Sequence, residues 1–151
     1  MNKLLTLISD LETKVPYCDK VNTSISQSPV GWHIQHTLLT IKKIIAALQS
    51  SNPENYRWKF NLTRNFVFTF NKIPRGKGKA PKSVIPKEPY TAAGLIKEMH
   101  VLKSEINVLA TLNPRHYFDH PYFGSLNLKA ACKFLEIHTK HHIAIINEIL
   151  Q

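Results

Sequence analysis

The stretch Leu128–Ile149 reads LKAACKFLEIHTKHHIAIINEI, and its spacing decides the fold. Leu128, Ala131, Leu135, Ile145 and Ile149 recur at helical intervals and fall on one stripe. The gap in that stripe is filled by His138 and His142. Two histidines four apart stand one above the other on a helix, with imidazoles near enough to share one metal ion. They occupy positions that face a packed core, where a neutral imidazole needs a partner. Two readings follow: a shared metal, or a pair of core histidines satisfied by other groups. Spacing alone does not separate them, because i,i+4 pairs also arise by chance.

Outward from this segment, helical patterns dominate. Asn2–Lys14 places Leu4, Ile8, Leu11 and the following Val15 at core spacing and stops at Pro16. Ser28 and Pro29 predict the N-cap and first position of a long helix that runs to about Gln49. Its stripe is Val30, Ile34, Leu38, Ile41, Ile45 and Leu48, and Asn52-Pro53 breaks it. Residues 56–73 carry two patterns. Phe66, Phe68 and Phe70 alternate as in a strand, whereas Leu62, Phe66, Phe70 and Ile73 fit a helix. With no second convincing strand to pair, a short helix is favoured. Thr91 predicts the cap of a helix carrying Leu95, Met99, Leu102, Ile106 and Leu109, which ends at Asn113-Pro114. The loop RHYFDHPYFGS follows, and Asn127 or Ser125 caps the last helix. Four long amphipathic helices plus a short one, in a single domain spanning residues 1–151, make an all-α four-helix bundle the economical architecture.

Composition bounds the function. Of 151 residues, 43% are hydrophobic and 20% charged, an ordinary balance for a globular domain. Twenty Lys+Arg against ten Asp+Glu give a formal charge of +10, which favours anionic partners. Much of the excess is local: Arg75, Lys77, Lys79, Lys82 and Lys87 crowd one Pro/Gly-rich stretch that reads as a solvated loop. Cys18 and Cys132 form no C-x-x-C pair, so finger and ribbon readings fail. Asp10, Glu12 and Lys14 interrupt the first apolar run, no signal peptide is read there, and no stretch reaches the length of a membrane span. The expectation is a cytoplasmic protein. Trp58, Phe60, Phe66, Phe68 and Phe70 beside basic residues resemble a stacking platform for single-stranded nucleic acid, but the simpler expectation is packing at a bundle end. No helix-turn-helix signature is recognisable, so a nucleic-acid partner is not expected.

A catalytic three-ligand metal site needs one more residue. The segment SPVGWHIQHT offers His33 and His36, and pattern alone does not choose between them. His33 lies at the edge of the main stripe. His36 falls roughly 200° from Ile34, beside Trp32 and Leu39, on what would be a second buried face.

These residues resemble the first metal-ligand helix of the DinB-like (YfiT-like) superfamily of metal-binding four-helix bundles. There a Trp near the start of the second helix precedes a histidine ligand, and two further ligands four apart sit on the last helix. On that resemblance His36 matches the first ligand and His138 and His142 the pair. The closing H-x-x-H-H run and the preceding HPYFG resemble an uncharacterised branch of the superfamily. The resemblance implies an antiparallel bundle with a long basic crossover loop, often a homodimer, holding a divalent transition metal (Zn, Ni or Fe). It also implies a metal-dependent enzyme, a thiol-dependent transferase or a hydrolase acting on a small molecule. The Arg-Gly-Gln that often follows the last ligand in the superfamily is replaced here by Ile143-Ala144-Ile145, which puts the shared substrate class in doubt.

Chemically, three neutral imidazoles leave a divalent ion with open positions, able to bind water or a thiol as a nucleophile. HTKHH lacks the glutamate of H-E-x-x-H, which argues against a metalloprotease, and no Glu-x-x-His argues for a di-iron bundle. In RHYFDHPYFG, His116, Asp119 and His120 precede the ligand helix, and His120 is the preferred general acid or base, a loop-anchoring role being the alternative. Arg75, Lys77 and Lys79 are candidates for guiding an anionic substrate. His141 is expected beside the site, and His33 in a structural role. The second functional class is a non-catalytic metal-binding or stress-associated bundle.

Overall fold

The N-terminal helix α1 (Asn2–Lys14) buries Leu4, Ile8 and Leu11, the stripe its spacing predicts, and gives way to a 3-10 turn at Val15–Tyr17 that holds Pro16. The computed structural model describes residues 2–76, 80–87 and 89–151. Within them lie four further α-helices: α2 (Val30–Ser50), α3 (Leu62–Phe70), α4 (Ala92–Glu105) and α5 (Leu128–Ile149). The protein is mostly helical. One departure from an all-α class is a small antiparallel hairpin, β1 (Tyr117–His120) with β2 (Gly124–Asn127).

Among the long helices α1 packs on α5, α5 on α2, α2 on α4 and α4 on α1, a closed cycle around one apolar core. Ile8, Leu11, Ile34, Ile41, Leu48, Leu95, Met99, Leu135 and Ile146 are among its largest fully enclosed side chains. Helix α2 is buried on two faces, with His36 and Thr40 as deeply placed as Ile34 and Ile41. That follows from its having partners on two sides, α4 and α5. The second buried face is what makes room for polar groups inside the protein.

The start of α2 differs from expectation. Its N-cap is Pro29, not Ser28, and no side chain caps it. The connector from α1 folds back instead, so that the Lys20 carbonyl accepts the Val30 N–H at 2.9 Å and the Cys18 carbonyl accepts that of Gly31 at 2.7 Å. These bonds satisfy two of the orphan donors that a cap would otherwise meet. Gly31 is required by packing: a Cβ there would lie 2.2 Å from the Tyr90 ring, whose hydroxyl donates to the Cys18 carbonyl.

Helix α3 forms where the ambiguous aromatic segment favoured a helix, capped by Asn61 and ended by Asn71 in the left-handed region at φ 51°. The expected packing of the aromatics holds for Phe68, which lies against the core and Phe123, and is corrected for the others. Val67 and Arg64 face inward, while Trp58, Phe60, Leu62, Phe66 and Phe70 are exposed, Leu62 by 75% and Trp58 by 64%. Helix α4 is capped by Thr91 as predicted and finishes as a 3-10 turn, Ile106–Ala110, before Asn113-Pro114.

The predicted loop 115–125 contains the hairpin. Phe118 pairs with Leu126 and both point into the core, while Asp119 pairs with Ser125 on the outer face. Gly124 adopts φ 68°, a conformation glycine takes without strain. Asn127 ends β2 and opens α5, its side chain accepting the Ala130 N–H at 3.0 Å. The hairpin thereby ties residues 117–120 to the first turns of the helix that carries His138 and His142.

Candidate metal centre

Helices α2 and α5 pack so that one ring nitrogen from each of His36, His138 and His142 lies within 4.8 Å of the other two. His36 and His142 are buried and His138 is half-buried. Each ring is held by its neighbours. Trp32 stacks on His36 at 5.1 Å, which is what the W-x-x-x-H spacing delivers when both residues stand on one helical face. His138 lies between Phe134, at 5.5 Å, and His142, at 4.6 Å.

Hydrogen bonds set the tautomers. The Val84 carbonyl can only accept, so at 2.7 Å from His36 Nδ1 it fixes the proton there and leaves Nε2 a lone pair. Nε2 faces His138 Nε2 at 3.3 Å. Two nitrogens bound tetrahedrally at about 2.0–2.1 Å from one zinc stand about 3.3–3.4 Å apart. The His36–His138 separation matches that spacing and is longer than the 3.1 Å between the hydrogen-bonded nitrogens of His142 and His33. His142 Nδ1 lies 3.1 Å from His33 Nδ1, and His33 Nε2 lies 2.9 Å from Ser26 Oγ. A single proton arrangement makes His142 a ligand through Nε2. In it His142 Nδ1–H donates to His33, and His33 Nε2–H donates to Ser26. Carbonyl acceptors like that of Val84 orient metal-binding histidines elsewhere in proteins, and His33 serves His142 in the same sense.

Burial is the first cause of low basicity throughout the cluster. It pulls His138 and His142 well below the ordinary histidine range, with repulsion from neighbouring imidazoles adding to it. It also lowers His36, against an opposing contribution from the Val84 carbonyl, and brings His33 to about 4. All four are neutral at pH 7, the form in which imidazole offers a lone pair to a metal. His138 Nδ1 is buried with no hydrogen-bond partner among the described residues. Coordination through Nε2 would place the proton on this Nδ1, an unsatisfied donor that costs roughly 1–3 kcal/mol with or without an ion. The donor set and its protonation fit a divalent ion, with the His36–His138 pair already at ligand spacing.

The triad opens onto a cavity of about 430 Å³ lined by Trp32, Val84, Tyr122, Phe123, Phe134 and His120, among others. His120 stands in an aromatic box, stacked on Phe123 at 4.2 Å and edge-on to Phe134 at 4.6 Å. The Tyr122 N–H donates to its Nδ1 at 3.2 Å, so the proton sits on Nε2. Burial lowers His120 to about 4, which makes it a neutral hydrogen-bond donor at pH 7.

The other sequence candidates fall elsewhere. Asp119 lines the same cavity but is exposed and holds the Ser125 hydroxyl through a short hydrogen bond. His116 bonds Ser51 at the far end of α2. Arg75 is exposed and forms a two-pronged ion pair with Glu148 at 2.6 and 2.7 Å. Lys77 and Lys79 lie outside the described residues. His141 is half-buried, edge-on to His142 at 5.2 Å. His100 pairs with Glu12 on the surface. Sequence reasoning missed the Val84 carbonyl, 48 positions from His36, and the aromatic walls supplied by the hairpin. Neither has a signal in local spacing.

His33→Phe keeps an aromatic ring while removing the acceptor for His142. Its metal affinity, measured by competition with a chromogenic chelator, is expected to fall about 10- to 100-fold. Unchanged affinity would show that packing alone orients His142.

No family model, curated protein or solved structure matches this chain.

Proposed function

We propose that this chain is a DinB-like four-helix bundle that binds a divalent transition metal through His36, His138 and His142. In this reading it is an enzyme acting on a small molecule, as a thiol-dependent transferase or a hydrolase. One observation carries the proposal: three neutral imidazoles converge at the wall of a solvent-reaching apolar cavity, with no fourth Cys, His or carboxylate in the cluster among the described residues. A site closed by four protein ligands is structural, and one with three ligands and a cavity is the catalytic arrangement. Zinc, nickel and iron all suit imidazole, so the ligand set leaves the metal's identity to measurement.

Bound there, a divalent ion supplies a Lewis acid that brings a water toward a pKa of about 7 or holds a thiol as thiolate. The chain supplies the rest. Phe123, Phe134 and Trp32 exclude bulk water from one side of the cavity and strengthen each polar contact made inside it. His120, with its proton on Nε2, donates a hydrogen bond to an oxygen of the bound molecule. Its low basicity suits it to stabilising developing negative charge rather than to storing a proton.

Elemental analysis of the purified, untagged protein tests the proposal, run beside a His138→Ala/His142→Ala variant. About one equivalent of transition metal in the parent and none in the variant is the expected result. A parent that is metal-free and takes up neither added zinc nor nickel would overturn it. Metal-loaded protein that turns over nothing in thiol-transfer and hydrolysis screens would instead identify a non-catalytic metal-binding module.

A further inference from the structure

Beside the metal pocket lies a second cavity of about 580 Å³, which shares Ile73 and His141 in its walls. It arises where Asn71 ends α3 in a left-handed turn and residues 72–75 meet α5. Ile137 and Ala144 of α5 give it an apolar side. Its charged groups are Lys72, Arg75, Lys140 and Glu148, three cations against one carboxylate. Arg75 is held by Glu148, which also feels Lys72, and the Lys140 ammonium has Lys3 and Glu136 as neighbours; neither lysine comes within ion-pair distance of a carboxylate among the described residues. Two exposed ammonium groups beside an apolar wall leave the cavity with a net positive field.

The two cavities have a fixed relation on α5. At 3.6 residues per turn, Ile137, Ala144 and Glu148 lie about 120° around the helix from His138 and His142, over the same stretch of its length. With a helix radius of about 5–6 Å including side chains, these walls lie about 10 Å from the ligand face, whereas Lys140 stands nearly opposite the ligands and borders the cavity from its far side. One small molecule spans that distance.

We infer that the second cavity is an anion subsite, which takes the phosphate or carboxylate end of a small molecule whose other end reaches His36, His138 and His142. This inference rests on the metal-dependent reading above for the second end only. Lys72 and Lys140 supply the charge, and Glu148 limits it by holding Arg75 back. The substrate class is thereby narrowed to anionic molecules long enough to reach from one cavity to the other.

Two titrations test it, and each fails separately. In metal-free protein, inorganic phosphate is followed by calorimetry. Saturable binding that weakens with salt is expected in the parent, roughly tenfold weaker in Lys72→Ala/Lys140→Ala and tighter in Glu148→Gln, which adds one net positive charge. Both lysines are exposed, so the double variant is expected to melt with the parent. In cobalt-loaded protein, ω-mercaptocarboxylates of increasing length are compared with the matching neutral ω-mercaptoalcohols through the thiolate-to-cobalt absorption band. The carboxylates are expected to bind more tightly only near the length that spans the two cavities, and to lose that advantage in the double lysine variant. Phosphate binding that ignores both lysines and Glu148, or a carboxylate series no tighter than the alcohols at any length, would overturn the inference. Failure of cobalt to load would remove the metal reading, and the phosphate titration would still decide whether the cavity takes an anion.

Discussion

Adding zinc or nickel at about 100 times its dissociation constant is expected to raise the melting temperature of the metal-free protein by about 5–10 °C. Ligand present at that excess stabilises the native state by about 2.7 kcal/mol. In a domain of about 150 residues each kcal/mol moves the midpoint by roughly 2–4 °C. The informative comparison is His138→Leu, which keeps the bulk of the side chain and removes the buried Nδ1 that has no partner. Without metal, this variant is expected to melt at or above the parent, since about 1–3 kcal/mol of unsatisfied desolvation disappears. With metal the order reverses, because the parent gains the shift and the variant does not. Thermal melts of both proteins with and without metal decide the matter. A variant that is several kcal/mol less stable in metal-free buffer would mean that His138 is a structural core residue.

Acidifying the metal-free protein from pH 7 to pH 4.5 is expected to remove about 2–3 kcal/mol of stability through His33 alone. Burial holds His33 at about 4 in the folded protein, against an ordinary value of 6.5. Between those values the unfolded chain carries the proton and the native protein does not, so stability rises with pH at up to about 1.4 kcal/mol per unit. The contribution is complete above about pH 6.5 and is lost as pH falls toward 4. His36, His138 and His142 are displaced in the same direction by the same cause and steepen the slope. Glu12 is lowered by its Lys103 partner, and it acts in a separate window, below its ordinary value of 4.5. Urea midpoints at pH 7, 6 and 5 measure the effect, and His33→Phe is expected to flatten part of it. Stability that is level across that range would show that the histidines are hydrated in the folded protein.

The helices were legible because their cores repeat at helical intervals, and the long ones carry their predicted stripes inside, save Leu128 at the start of α5, which is half-buried. Boundaries were less so. Ser28 has the chemistry of a cap, but the connector from α1 delivers the Lys20 and Cys18 carbonyls to the same donors first, an event set by the path of the chain rather than by residue type. The hairpin was invisible for a related reason. Its strands have four residues each, too few for alternation to register, and Asn127 serves both β2 and α5. The exposed face of α3 misled in the opposite sense: Leu62, Phe66 and Phe70 keep helical spacing, yet no element among the described residues covers them.

For the candidate site, local spacing placed His138 and His142 on one face of a core helix and Trp32 over His36, since residues four apart on a helix are neighbours whatever the rest of the chain does. It left His33 and His36 as rivals. Only the packing of α2 against α5 separated their roles, bringing His36 Nε2 to His138 and setting His33 behind His142. The Val84 carbonyl, the aromatic box around His120 and the cationic cavity at Lys72 and Lys140 are likewise products of tertiary structure. Periodicity constrains which side chains share an element, whereas a site built from four elements depends on how those elements dock, and no local pattern encodes that.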